Sequence, residues 1–219
     1  GYGGYEPLPR LGPDWIFHWV RGPATARLLG LPENLAAGDP ATLVPRLGIK
    51  VDPDATTIGF MPHFQTMKSN TWPAAAAMAG IVLLDPREEP STVLARIGRC
   101  RIVLSEALHG IIVADALRIP WVAIQPISPA HRPKWMDWAE GMGLRLRFQP
   151  LAAPSIRAWT DKLQTRHAPD LTEQAAGALL AACAAEPALS GDTAISFSQE
   201  RMLACLDTLR RRPFDGLVR

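Results

Sequence analysis

Little in this sequence points to a disulfide framework, a metal or a bilayer. Its three cysteines, Cys100, Cys183 and Cys205, are scattered through 219 residues with no CxxC pair and no neighbouring histidine. So sparse and odd a count excludes a disulfide scaffold, fits a reducing compartment and leaves no zinc-binding spacing. Phosphate-binding glycine signatures are missing as well. There is no GxGxxG, no Walker sequence and no GxSxG, which disfavours dinucleotide, P-loop NTPase and α/β-hydrolase chemistry. No acidic cluster has metal-ligand spacing, so neither a metal nor a bound cofactor is expected. Charge bias is also absent: 23 Lys and Arg against 21 Asp and Glu leave a net charge of +2. That is too little for a chain that holds nucleic acid by bulk charge. The one dense basic run, Arg210-Arg211-Arg212, reads as a solvated helix end.

Long apolar runs are lacking too. The stretch from Trp72 to Leu84 is interrupted by Pro73 and Gly80, and Ile102 to Ile124 is punctured by Glu106, His109, Asp115 and Arg118. Neither has the length and continuity of a membrane span, and no signal peptide is expected. It starts at Gly1-Tyr2-Gly3-Gly4-Tyr5 without a methionine, so further sequence upstream is expected.

What is present is a composition for burial: 47% hydrophobic and 20% charged residues, in a chain long enough for a sizeable core. In the middle of the chain, short apolar runs alternate with helical patterns. Ile58 to Met61, Ile81 to Leu84, Arg101 to Leu104 and Trp121 to Ile124 read as strands. Between them, Trp72 to Ala79 reads as a helix closed by Gly80, Ser91 caps a helix through Arg99, and Ser105 sits at the cap of a helix from Glu106 to Arg118. Such β–α alternation predicts a Rossmann-like, doubly wound α/β domain with a parallel sheet. Ahead of it, Trp15 to Val20 reads as a strand and Ala24 to Leu29 as a short helix. The segment 1–45 is taken as the end of a preceding α/β domain, with a linker near Pro45 to Asp54. Residues 46–219 form the main domain, with C-terminal helices near Ser155–Thr165, Thr172–Ala185 and Phe197–Arg211.

The chemistry concentrates at predicted carboxyl ends of strands, where open α/β sheets bind ligands. Ser105-Glu106-Ala107-Leu108-His109-Gly110 joins such an end to a helix N-terminus, whose free N–H groups attract anions. His109 there can touch a phosphate or carboxylate, with Glu106 holding it protonated; a packing histidine is the plainer alternative. Arg21 follows a predicted strand and can clamp a dianion bidentately, or form a surface ion pair. His63 lies at a third strand end, beside Pro62. Lys134-Trp135-Met136-Asp137-Trp138 sets a cation beside two indoles, which serve either as a sugar platform or as packing on an amphipathic helix.

Taken in order, Val20-Arg21-Gly22-Pro23-x-Thr25, Asp39-Pro40-Ala41, Met61-Pro62-His63, Leu108-His109-Gly110 with Ala114 and Pro120, and Lys134 resemble the polysaccharide pyruvyl transferases. The branch most similar adds ketal pyruvate to succinoglycan-type exopolysaccharides, and the likeness covers about residues 1 to 150. It implies a GT-B-like pair of Rossmann-like domains, the first largely missing here. It implies transfer of a pyruvyl group from phosphoenolpyruvate, as co-substrate, to a sugar of an exopolysaccharide or its lipid-linked repeat unit. The expected setting is cytoplasmic, at the inner face of the cytoplasmic membrane by peripheral association, with no nucleic acid as partner. His109 would then be the general acid, with Glu106 beside it. Arg21, Lys134, His63, Ser105 and Gly110 would bind the donor, and Trp135 and Trp138 the acceptor. Many members carry Arg two residues before the histidine, where this chain has Ala107, so the remaining cations and the helix N-terminus must carry that charge. Two other readings share the same anion site: a GT-B glycosyltransferase using a nucleotide sugar, and a non-catalytic domain that binds an anionic glycan.

Overall fold

Short strands that are apolar on both faces must be covered on both faces, and a parallel sheet with crossover helices does so. The computed structural model describes residues 11–12, 14–68, 71–151 and 171–211. Within them lie four strands: β1 (Thr57–Met61), β2 (Val82–Leu83), β3 (Cys100–Ser105) and β4 (Trp121–Ala123). They form one parallel sheet in the order β2-β1-β3-β4. The described helices are α1 (Pro23–Leu28), α2 (Thr71–Met78), α3 (Pro90–Ile97), α4 (Leu108–Ala116), α5 (Arg132–Gly141), α6 (Leu171–Cys183) and α7 (Asp192–Arg211). The result is the expected α/β fold of Rossmann-like type.

Alternation along the strands sorts the core into two layers. Phe60, Leu104, Val122 and Ile124 face α2 and α6, whose contact is lined by Ala75, Ala76, Ala175, Ala176 and Leu179. Met61, Val103, Trp121 and Ala123 face α3, α4 and α5. One register shift lies between Thr57 and Ile58, opposite Cys100 and Ile102, so Arg101 is an extra residue. It explains why Cys100 and Ile102 belong to different layers although two residues apart. Helix α4 is buried at every position but His109, as a central helix of a two-faced sheet must be.

The sheet order decides where a ligand can sit. From β1 the chain winds outward to β2, then crosses to β3 on the other side of β1 and continues to β4. The winding therefore reverses between β1 and β3, and beyond their carboxyl ends a crevice opens. There the chain reads Met61-Pro62-His63 and Ser105-Glu106-Ala107.

Several local expectations are corrected. Trp15 to Val20 is no strand: Val20 makes an isolated bridge to Ala36, and Trp15 and Ile16 are exposed. β-propensity without a neighbouring ladder makes no strand. Helix α3 begins with Pro90 after Glu89, not with a Ser91 cap, because proline is already set for the first helical position. Ser105 ends β3 and Ala107 is the N-cap of α4; Glu106 precedes the helix because its N–H still donates to Met61 O, at 2.9 Å. Helix α7 begins five residues before the expected Phe197. The expected helix near Ser155–Thr165 lies outside the described residues.

Gly110 was expected to meet the donor, but the structure gives it a packing role. A Cβ there would overlap Ser105 Oγ and lie 2.7 Å from Met61 Sδ, both in the core beneath α4. Gly110→Ala is expected to lower stability by about 1–3 kcal/mol through overpacking, read as a shifted urea midpoint. An unchanged midpoint would mean that α4 can lift off the sheet freely.

Candidate active site at the strand crossover

The residues around the crevice are each held from two sides. Arg21 follows Val20, whose N–H donates to Leu35 O at 2.9 Å and whose carbonyl accepts from Ala37 N at 3.1 Å. After Arg21 the chain turns at once into α1. Gly22 lets the backbone pass against Asp137 of α5, where a Cβ would overlap the Asp137 carbonyl. Asp137 then accepts from Thr25 N (2.9 Å) and Thr25 Oγ1 (2.5 Å), supplying the cap that Gly22 cannot. The block Arg21-Gly22-Pro23-x-Thr25 is thereby a device that locks Arg21 to the helix bearing Lys134.

Asp39 is fixed by α7. Ser198 Oγ donates to Ala37 O at 2.6 Å and Gln199 Nε2 to Thr42 O at 2.9 Å, bracketing Asp39. Its carboxylate accepts from Ala41 N at 3.0 Å as the N-cap of a 3-10 helix, Pro40–Leu47. Asp39 Oδ2 lies 3.3 Å from His109 Nε2 and 3.7 Å from Arg21 Nε. The Arg21 side chain is only 9% exposed, and its Nε is buried without a hydrogen bond.

Glu106 ties the two sides of the crossover. Its Oε2 accepts from His63 N at 2.8 Å and lies 2.7 Å from Thr66 Oγ1. That fixes the loop after β1 and places the His63 ring 5.4 Å from the ring of His131, at the start of α5. Lys134 stands one turn further along α5, close enough that its charge acts on His63 and His131, and that of Arg21 acts on Lys134. Neighbour to neighbour, a closed circuit runs His109, Asp39, Arg21, Lys134, His131, His63, Glu106 and, through three residues of chain, back to His109. It borders the crevice between β1 and β3.

The electrostatics follow from crowding. Burial, then the charges of His131 and Lys134, push His63 down to about 4. His131 is lowered by burial and Lys134, and Lys134 by burial and Arg21. Burial acts to raise Asp39, but the hydrogen bond to His109, the Ala41 N–H and the charges of His109 and Arg21 outweigh it. Asp39 thus stays below its ordinary value. Glu106 moves the other way: burial raises it, and the His63 N–H and the Thr66 hydroxyl only partly offset this. Basic groups crowded so that each lowers the next, with Arg21 Nε buried without a hydrogen bond, make a seat for an anion. The first turn of α4 adds to it, since Ala107 provides no side-chain cap.

Of the residues expected at the site, Arg21, His63, Glu106, His109 and Lys134 converge here. Ser105 lies beneath them, fully buried, with its hydroxyl accepting from Ala107 N at 3.1 Å and lying 2.8 Å from Ala107 O. The expected sugar platform is corrected. Trp135 and Trp138 are each 1% exposed, packed against Phe148 and Trp121, and present no face to an acceptor. Asp39 and His131 were missed. Asp39 carried a signal as a helix-capping Asp-Pro; nothing in the sequence links His131 to His63. A cavity of about 420 Å³ lined by Lys50, Asp52, Asp54 and Arg99 lies at the amino end of β1 and contains none of these residues. Among the described residues no group of three or more His, Cys, Asp or Glu is placed to hold a metal ion.

Comparison with known proteins gives one informative likeness. The chain is 34% identical over 150 residues to a succinoglycan biosynthesis protein, ExoV, of Rhizobium meliloti (strain 1021). The match covers 66% of this chain and 46% of that protein, so the chain spans less than half of that relative's length. This bears out the resemblance to the succinoglycan branch. No protein-family profile matches the chain, and no solved structure matches it.

His63 makes stability depend on pH with a definite sign. Between its ordinary value of 6.5 and its folded value of about 4, the unfolded chain takes up a proton that the folded chain refuses. Stability is therefore lost as pH falls through that window. In His63→Gln this part of the slope should vanish from urea-unfolding free energies measured between pH 7 and pH 4. An unaltered slope would mean that His63 protonates freely in the folded protein.

Proposed function

We propose that the chain carries the donor site of an enzyme that transfers a ketal pyruvyl group from phosphoenolpyruvate to a sugar during exopolysaccharide synthesis. The acceptor is a saccharide or its lipid-linked repeat unit. The observation that supports this most is the convergence of Arg21, Lys134, His63 and His109 on one crevice, with the Arg21 side chain buried and its Nε without a hydrogen bond. The likeness to a succinoglycan biosynthesis protein supplies the context.

Phosphoenolpyruvate brings a phosphate and a carboxylate joined through one reacting carbon. Arg21 and Lys134 offset that charge, Arg21 with a planar fork suited to two oxygens and Lys134 as a point charge. His109 is exposed enough to reach a ligand, its side chain being 68% accessible, and its Nε2 faces Asp39. As the general acid, this ring delivers a proton to the methylene carbon of the donor. Positive character then develops at C2, where a sugar hydroxyl attacks. Phosphate leaves and a second hydroxyl closes the ketal. Glu106 serves this site by holding the His63 loop, and the acceptor binds outside the tryptophan-lined core.

The donor is a co-substrate and no bound cofactor takes part. A preceding α/β domain faces this one across the crevice in a GT-B-like arrangement, with residues 1–45 as its end. The reaction takes place on the cytoplasmic side, where lipid-linked sugars are assembled, by peripheral association with the membrane. Among the described residues no helix is long and apolar enough to cross a membrane.

Phosphate release from phosphoenolpyruvate in the presence of octyl glucoside and octyl galactoside, which present free 4,6-diols, tests the reading. Acceptor-dependent release is expected, lowered on the order of a hundredfold or more by His109→Ala. Release that survives this substitution would remove His109 from the chemistry. Turnover of a nucleotide sugar instead would favour glycosyl transfer, and silence with both donors a non-catalytic anion-binding domain.

A further inference from the structure

Asp39 has no part in the transfer proposed above, yet its carboxylate is held in one orientation. Gly38 before it has a φ of 118°, in the left-handed region, and a Cβ there would overlap Ser198 Oγ of α7. The glycine lets the chain pass against α7, and Asp39 leaves that turn only 7% exposed. Its Oδ1 accepts from Ala41 N at 3.0 Å, which leaves Oδ2 for the crevice. Oδ2 lies 3.3 Å from His109 Nε2 and 3.7 Å from Arg21 Nε. The first contact is within hydrogen-bond reach and the second is beyond it. Arg21 is therefore held by charge, with its Nε hydrogen unused.

We propose that Asp39 is a positioning residue that engages Nε2 of His109 and so makes Nδ1 the atom that exchanges a proton with the donor. This rests on the transfer reaction proposed above and adds to it which nitrogen reacts and what selects it. The Asp39 carboxyl titrates below its ordinary value, so near neutral pH it can only accept a hydrogen bond. Nε2 then carries a hydrogen in the acid form of the ring and in the neutral form alike. Nδ1 is the nitrogen left to give up a proton and to take one back. Among the described residues Asp39 is the hydrogen-bond partner of the ring, and the His109 side chain is 68% exposed, which leaves Nδ1 for a ligand.

The protons balance on that nitrogen. The ring gives the Nδ1 proton to C3 of the donor, and the first sugar hydroxyl bonds to C2. The C2–O bond to phosphate breaks, and the phosphate departs with the proton of that hydroxyl. The second hydroxyl then bonds to C2 and its proton passes to Nδ1. Nε2–H stays with Asp39 throughout, the ring ends as it began, and one hydrogen phosphate is released for each ketal formed.

Asp39→Asn reverses the contact. Its amide oxygen keeps the Ala41 N–H, so the NH2 group turns to His109 Nε2 and can only donate to it. The neutral ring must then hold its proton on Nδ1, where it cannot accept another. In full-length protein with phosphoenolpyruvate and the same octyl glycosides, kcat should fall on the order of a hundredfold or more. The Kd for phosphoenolpyruvate, from calorimetry, should hold or tighten, since a negative charge has left the side of Arg21; a merely structural role would weaken it. Added to His109→Ala, the change should lower kcat by less than about threefold further, because both act through one ring. Nitrogen NMR of histidine-labelled protein, with the His109 signals assigned by their loss in His109→Ala, needs no turnover. It should show the neutral ring protonated on Nε2 in the unaltered chain and on Nδ1 in Asp39→Asn. A neutral ring protonated on Nδ1 in the unaltered chain would overturn the assignment and leave the transfer reaction standing. So would an Asp39→Asn protein with kcat within about threefold of the unaltered chain. An unaltered chain that releases no phosphate would overturn the reaction itself and this role with it.

Discussion

The buried carboxylate of Glu106 is the contact on which the crevice depends. It sits where the sheet reverses its winding, between the carboxyl ends of β1 and β3, and its Oε2 accepts the His63 N–H across that gap. Burial of a carboxyl costs free energy unless it finds hydrogen-bond partners, and here the loop that carries His63 supplies them to Oε2. Without that bond His63 and its neighbour His131 would have no fixed relation to β3, nor therefore to His109. Asp39 plays the matching part on the other side, held between Ala37 and Thr42 by α7 and facing both Arg21 and His109. Two carboxylates thus organise five basic groups, and the excess of cations is what gives the crevice its affinity for an anion.

Much of this fold was legible in the residues because local and global signals agree. The four apolar runs became the four strands, and glycine or proline stopped the helices near the expected places. The failures share a cause, which is partnership that only the folded chain supplies. Trp15 to Val20 has strand-forming residues but finds a single bridge. The tryptophans of α5 were read by their chemistry, whereas the apolar layer behind Trp121 decides their fate. Helix α4 starts after Glu106 because that residue's N–H remains with Met61.

At the site, the residues found from sequence are those that lie next to a strand end. Arg21, His63, Glu106 and His109 all carry that positional signal, and Lys134 came with the family blocks. Asp39 and His131 were hidden for a different reason. Each acts through a residue distant in sequence, Asp39 through His109 and Arg21, and His131 through His63. Such pairings depend on strand order, which sequence pattern does not state. The Ala107 departure from the family pattern gains a physical meaning here. A small residue at the N-cap leaves the first turn of α4 without a side-chain cap, while the buried Arg21 supplies a guanidinium from another element.

The central claim is that Arg21 and Lys134, flanked by these imidazoles, hold a dianion, and calorimetric titration of phosphoenolpyruvate in two buffers of different ionisation heat tests it most directly. An anion beside His63, which burial and the charges of His131 and Lys134 hold at about 4, raises its proton affinity, so binding draws protons from the buffer. The account predicts binding with net proton uptake, both abolished when Arg21→Ala and Lys134→Ala are combined. Binding that exchanges no protons, or that persists in the double variant, would contradict it.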